Sequence, residues 1–482
     1  MTRPGYRNRA KTGNPEQGGE RAPAVRPVPP PFPRFPPAGF ARPTRPLPPL
    51  LPLPPRPSLT FCPFPASRVP PEARSEVAVR RARRRPAAVL AVLAALLGAT
   101  LTEGPGISAL ADEPCSLPRS AVHHSEGVDS WNDAYPRPVG TVRGVMLFLS
   151  FTDAAPRLSP ERIAADYFPA TTDYFRAASY GKLDLRTEVV PEWLRMPGTS
   201  QEYGIRRDWE PDRRSAYLKD ALKTVSGRVD LAAYDIVYLV ADPDAPGVDP
   251  DATKVVNFDK PVTVGDAEIR RLVTVFEQRR PDRNVLAHET GHVFDLPDLY
   301  DRPENGWGDW DTHVGDWDLM GSQFGLSPEL FGWHKWKLGW LGPGHVDCVR
   351  GPGTTLHTLQ PLGAPLEKGD PESDTRLAVV RTGPAEALVA EARAPMGNDT
   401  TTCTRGVLLY RVRSDIPSAE GPIEVLDGHP DTSACHATSV HPRLADAPLE
   451  TGESYYDAAA GVRVEVGERT VTGGWDVKII KE

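Results

Sequence analysis

His288-Glu289-Thr290-Gly291-His292 sets two imidazoles four residues apart, with a carboxylate directly after the first. On a helix, residues four apart stand one above the other on one face, so both rings can reach one metal ion. Glu289 then lies beside the ion but is angled away from it, within reach of a bound water. Zinc takes two such His nitrogens and a third protein ligand, keeps one position open, and lowers the pKa of a water there to about 7. Glu289 is placed to accept that water's proton and return it to a leaving amine. The chain has 11 His in 482 residues, and the pattern is expected by chance only about 0.02 times in such a chain. That frequency weighs against the plainer reading, two helical His held by ordinary hydrogen bonds.

The pair works only if a helix carries it. Asp282 reads as that helix's N-cap, and Val285, Leu286 and Val293 supply a face to pack. Upstream, Val142–Phe151 is a continuous apolar run suited to a buried strand. Ser159-Pro160-Glu161 opens a helical region running to about Tyr180, broken at Pro169 and ended by Gly181. Leu183–Val190 reads as a strand, Arg213–Val225 as an amphipathic helix and Tyr234–Val240 as a second buried strand. Val262–Phe276 reads as a hairpin turning near Gly265-Asp266. Mixed strands and helices predict an α+β domain. From about Cys348 the helical period stops. Short runs at Leu377–Arg381, Ala387–Ala392, Val407–Val412, Val462–Val466 and Trp475–Ile480, separated by Gly, Pro and Asp, predict an all-β, sandwich-like domain.

HETGHVFDLPDLYD (288–301) resembles the long zinc signature HExxHxxGxxH/D, in which a turn after the helix returns a third ligand ten residues after the first. Here that position is Asp298, with Glu329 and Asp318 as alternatives. The turn position, Gly in the signature, is Asp295. Asp tolerates a left-handed backbone better than most residues. GDWDLMG (315–321) resembles the Met-turn that lies beneath such a metal, with Met320 as its apolar base; a core Met beside Trp317 is a compatible reading. Together with VMLFLSFTD (145–153), DYFRAASYGKLDL (173–185), YDIVYLV (234–240) and SPELFGWHKWKLGWL (327–341), these stretches resemble the secreted bacterial metallopeptidases of the immune inhibitor A family. The resemblance covers about residues 140–345. It implies a zinc-dependent endopeptidase with a metzincin-like site, secreted, and holding calcium as well. It carries nothing over to the C-terminal β domain.

Acids crowd the stretch after the zinc helix: Asp298, Asp301, Glu304, Asp309, Asp311, Asp316 and Asp318. These, and Asp242-Pro243-Asp244 with Asp249-Pro250-Asp251, offer the oxygen ligands that Ca²⁺ prefers, although plain solvated loops explain them equally well. Tyr300 and His313 are candidate donors to the oxyanion of a tetrahedral intermediate, by nearness in sequence.

The remaining signals concern organisation and compartment. Of 54 Pro, 22 fall in the first 80 residues, and residues 1–85 hold 17 Arg and Lys against four acids. Residues 1–76 read as Pro/Arg-rich low complexity, disordered or untranslated. Residues 77–111 read as a signal peptide: Arg80, Arg81, Arg83, Arg84 and Arg85, an apolar run from Ala87 to Ala99, and Ala109-Leu110-Ala111 before Asp112. Residues 112–345 are then the zinc metallopeptidase domain and 346–482 the β domain. The exported part is strongly acidic, which argues against nucleic acid or anionic lipid as partner. A secreted, extracellular monomer acting on protein or peptide substrates, with no membrane attachment after signal removal, is expected. The alternative is a secreted binding protein whose peptidase domain is inactive. Beyond Cys62, four Cys remain. In an oxidising compartment they read as two disulfides, and Cys403 with Cys435 staples the β domain locally, leaving Cys115 for Cys348.

Overall fold

The run expected at Val142–Phe151 is β1, Gly140–Ser150, seen in a computed structural model that describes residues 114–482 apart from 279–280, 282–283, 304–307, 368–373 and the side chain of residue 259. The stretches 1–76 and 77–111, the cap at Asp282 and the acid Glu304 lie outside the described residues. β1 is apolar without alternation because both of its faces are covered. Met146 and Phe148 join one buried cluster, and Val145, Leu147 and Leu149 join another.

β1 belongs to a five-stranded sheet ordered β2 (Leu183–Arg195), β1, β3 (Ile236–Ala241), β5 (Ala267–Val275), β4 (Lys254–Val264). The first four strands are parallel, and β4 returns antiparallel at the edge. The helices are α1 (Pro160–Ala164), α2 (Ala170–Ala178), α3 (Ser200–Tyr203), α4 (Pro211–Val225), α5 (Val285–Val293) and α6 (Gly332–Lys337). The helical region expected after Ser159, with its break at Pro169, is two helices. The interruption falls before and at Pro169, which has no N–H to continue the ladder. α2 and α5 pack on one face of the sheet through Phe175, Ala178, Leu286 and Val293. α4 covers the other with Tyr217, Leu218, Ala221 and Val225. The hairpin turns at Gly265, whose φ is 62°, but its first strand starts at Lys254 rather than near Val262. That early stretch forms the sheet edge, and an irregularity between Asn257 and Val262 interrupts its pairing.

After α6 the described chain is built mainly of strands, with short 3-10 turns at Pro343–His345 and Gly397–Asp399. One sheet runs β11 (Ile423–Leu426), β10 (Gly406–Arg413), β9 (Glu386–Arg393), β8 (Leu377–Arg381), β6 (Val346–Val349). The other runs β12 (Ser454–Asp457), β13 (Val462–Arg469), β14 (Trp475–Lys481), β7 (Gly353–Leu359). All pairings are antiparallel except β6 with β8. Val380, Leu388, Ala390, Val407 and Leu409 meet Val464, Val466, Val477 and Ile479 between the two sheets. The opposite face of the first sheet, with Val389, Leu408 and Tyr410, shares a core with Trp333 and Trp336 of α6. Disulfides join Cys115 to Cys348 and Cys403 to Cys435, as expected for an oxidising, extracellular-type environment. Among the described residues no helix is long and apolar enough to cross a membrane.

Candidate metal centre

All nine residues of α5 are buried, which sets His288, Glu289 and His292 at the floor of a cleft rather than on an open surface. Each ring is fixed by its δ nitrogen. His288 Nδ1 lies 2.9 Å from the Leu319 carbonyl and His292 Nδ1 2.8 Å from that of Leu296. A carbonyl only accepts, so both Nδ1 atoms carry the proton and both Nε2 atoms present a lone pair.

The helix ends at Phe294, and Asp295 takes a left-handed φ of 66°. The departure from Gly is thereby accommodated. The Asp295 carboxylate accepts from Arg119 Nη1 at 2.7 Å and contacts His124 Nδ1 at 2.9 Å, and its carbonyl accepts from Lys337 Nζ at 2.7 Å. Burial works to raise the Asp295 carboxyl, but His124, Lys337 and Arg119 overcome it and hold it below its ordinary value.

The turn returns Asp298 to the histidines. Its Oδ1 stands 3.3 Å from His288 Nε2 and 3.0 Å from His292 Nε2. These three residues are the one group of three potential His, Cys or carboxylate metal ligands among the described residues, with ligand atoms all within 4.8 Å of one another. Asp298 Oδ1 is buried with no hydrogen-bond partner. Three acceptors therefore converge on one point, an arrangement that calls for a cation. A proton on His292 can meet part of that demand. Burial opposes an imidazolium at His292, yet the neighbouring Asp298 carboxylate prevails and pushes it up to about 9. Burial likewise works to raise Asp298, but His292 and His288 hold it well below the carboxylate range. The donor set, two imidazoles and one carboxylate, suits zinc.

Glu289 Oε2 accepts the Val255 N–H at 2.6 Å, which anchors the carboxylate to edge strand β4. Burial pushes its carboxyl up, against the pull of His288 and His292. Tyr300 lines the same cleft and hydrogen-bonds to Asp298. Burial, with Asp298 and Glu289 nearby, raises its phenol, so it remains a donor. Met320 lies under the helix: a Cβ on Gly291 would come 2.6 Å from its sulfur. The cleft encloses 610 Å³, a volume suited to a bound ligand, and Thr253, Lys254, Val255, Glu277, Asp311 and Phe324 are among its walls.

The other sequence candidates lie elsewhere. His313 is not among the residues lining the cleft; its ring nitrogens are 3.9 Å from Asp301 and 3.8 Å from Glu424. Glu329 is buried against Lys335 at 3.1 Å. Asp318 accepts from the Met320 and Phe331 N–H groups and contacts His334 Nδ1 at 3.0 Å, which braces the turn beneath the helix. The acids after α5 do not form a second group of three ligands among the described residues. Asp316 receives Ser439 Oγ and the Leu326 and Val440 N–H groups, and Asp309 binds His441. Arg119, His124, Val255 and Ser418 had no signal in the sequence, because each meets the centre only through the folded chain. No family model matches this chain, and no curated protein matches it. What the structure itself supports is a His288–His292–Asp298 group able to hold a metal ion.

Proposed function

We propose that the protein is a secreted zinc-dependent endopeptidase. The observation that carries this reading is Asp298 Oδ1, buried, unpaired and facing the two Nε2 lone pairs beside the Glu289 carboxylate. His288, His292 and Asp298 would hold the zinc. Zinc supplies Lewis acidity there, making a water acidic near neutral pH and polarising a carbonyl. Glu289 moves the proton: Oε2 is tied to Val255, which leaves Oε1 to accept from the attacking water and deliver to the leaving amine. The raised carboxyl suits a group that must both take and give a proton near neutrality. Tyr300 lines the cleft and would donate to the oxyanion by turning its single O–H from the Asp298 carboxylate.

A peptide substrate is supported by the sheet. β4 is paired on one side only, and its first residues line the cleft. A free strand edge offers backbone groups to an extended chain. The resemblance of HETGHVFDLPDLYD to the long zinc signature, and the left-handed turn at Asp295 in place of Gly, point the same way. The test is metal analysis of purified protein with casein cleavage. Stoichiometric zinc and cleavage are expected, with Glu289→Gln keeping the zinc and losing the cleavage. A Glu289→Gln protein that cleaves at the parent rate overturns the mechanism, and zinc without cleavage in the parent favours an inactive binding protein.

A further inference from the structure

We propose that Arg207 and Lys254 form a carboxylate-binding subsite in the cleft, which selects peptides carrying an acidic group near the bond to be cut. This rests on the peptidase reading above. Three cations line the cleft: Arg207, Lys254 and Arg302. Arg302 is already met by Asp208 at 2.9 Å. Arg207 and Lys254 make no ion pair among the described residues; their contacts are of another kind.

The Arg207 guanidinium lies over the Trp310 ring at 4.6 Å. Trp310 packs on Tyr300 at 5.4 Å between ring centres, and Tyr300 hydrogen-bonds to Asp298. A guanidinium held over an indole still has N–H groups to offer a carboxylate. Arg207 is thus held in place by a stack that leads to the third metal ligand. Lys254 joins it directly, since its Nζ donates to the Arg207 carbonyl at 2.8 Å. One of three ammonium donors is used in this way. Lys254 also precedes Val255, whose N–H anchors Glu289, so Lys254 and the anchor of the proton-transfer group are neighbours on the β4 edge.

Two further arginines act on Lys254. Burial lowers the Lys254 pKa, and Arg214 and Arg302 act in the same direction, while Glu289 and Asp208 act on it only from beyond ion-pair range. A partly buried cation among cations is stabilised by a carboxylate that enters with the substrate. The cleft lining as a whole carries more acids (Asp251, Glu277, Glu289, Asp298 and Asp311) than bases (Arg207, Lys254 and Arg302), so Arg207 and Lys254 form a local basic spot within it. Arg supplies a bidentate fork and Lys a point charge, a combination fitted to the carboxylate of an Asp or Glu side chain or of a peptide C-terminus.

The test reads binding separately from cleavage. Zinc-loaded Glu289→Gln is titrated with labelled short peptides that carry one Glu at successive positions, with Gln counterparts, each with a free or an amidated C-terminus. At one position the Glu peptide is expected to bind about ten-fold more tightly than its Gln counterpart, the worth of one charge-assisted hydrogen bond. Arg207→Gln and Lys254→Met should each bring that ratio close to one. A preference that follows the free C-terminus instead assigns the subsite to the terminal carboxylate. Equal affinity for all acidic and neutral peptides, or a preference that survives in both variants, overturns the proposal. Failure of the peptidase reading is distinct: it shows as absence of casein cleavage by the parent protein, whatever the peptides do.

Discussion

Ser418 Oγ accepts the backbone N–H of Asp298 at 2.8 Å, across 120 positions of sequence. The Asp298 carbonyl in turn accepts from the Ala419 N–H at 2.9 Å, and Ala419 adopts a φ of 65° that is unusual for a residue with a Cβ. The loop between β10 and β11 therefore grips the residue that would be the third metal ligand. Ser418→Ala is expected to weaken zinc binding about ten-fold, as the loss of outer partners does at metal sites. Competition against a calibrated chelator measures it, and Ser418→Thr should recover part of the loss.

Asp298→Ala should cost at least about a hundred-fold in zinc affinity, more than loss of an outer partner does. Glu329→Gln should leave zinc stoichiometric, because Glu329 is committed to Lys335. Metal content after dialysis against a weak chelator separates the two. Retention of zinc by Asp298→Ala would move the ligand assignment elsewhere.

Asp295→Gly restores the residue that a left-handed turn prefers, yet it should destabilise the protein. Gly relieves about 1 kcal/mol of backbone strain. It also leaves Arg119 and the buried His124 without their carboxylate, a loss of about 3 kcal/mol or more. The net expectation, about 2 kcal/mol of lost stability, is read from the denaturant midpoint of the zinc-free protein.

Gly291→Ala puts a Cβ against the Met320 sulfur at 2.6 Å, with the Met320 methyl at 3.2 Å. The buried Met320 must move, and overpacking of this kind costs about 1–3 kcal/mol. A lower melting temperature checks this.

His334 makes stability depend on pH. Burial opposes its charge, but Glu126 and Asp318, 2.8 and 3.0 Å away, push it up to about 9 from 6.5. A raised folded-state pKa contributes stability that is complete below the unfolded value and is lost as pH rises through the folded value. The zinc-loaded protein, in which His292 no longer titrates, should therefore resist denaturant most strongly below about pH 6.5 and weaken through pH 9. Glu126→Gln should flatten that slope. Unfolding curves across this range test both statements.

Local patterns were legible because their physics is local. The four-residue step from His288 to His292, the return of the chain at Asp298 and the unbroken apolar run of β1 are all visible from neighbours in the sequence. The strands β6, β7, β11 and β12 are not. β7, for instance, is largely exposed along Gly353–Leu359 and shows no apolar alternation strong enough to mark it. Asp295 looks like a departure from the signature, since nothing nearby in sequence announces Arg119 and His124, 176 and 171 positions away. The Oε2 partner of Glu289 is equally hidden, because it is a backbone N–H with no residue type to notice.

The segments that brace the centre run from Arg119 to Ser418. A ribosome makes α5 long before it makes the loop that grips Asp298. While a chain is being synthesised, this site stays incomplete until β10 and the loop after it have emerged. Assembly of the centre is thereby tied to arrival of nearly the whole chain, so its long-range contacts act as a timer on when the metal can be firmly held.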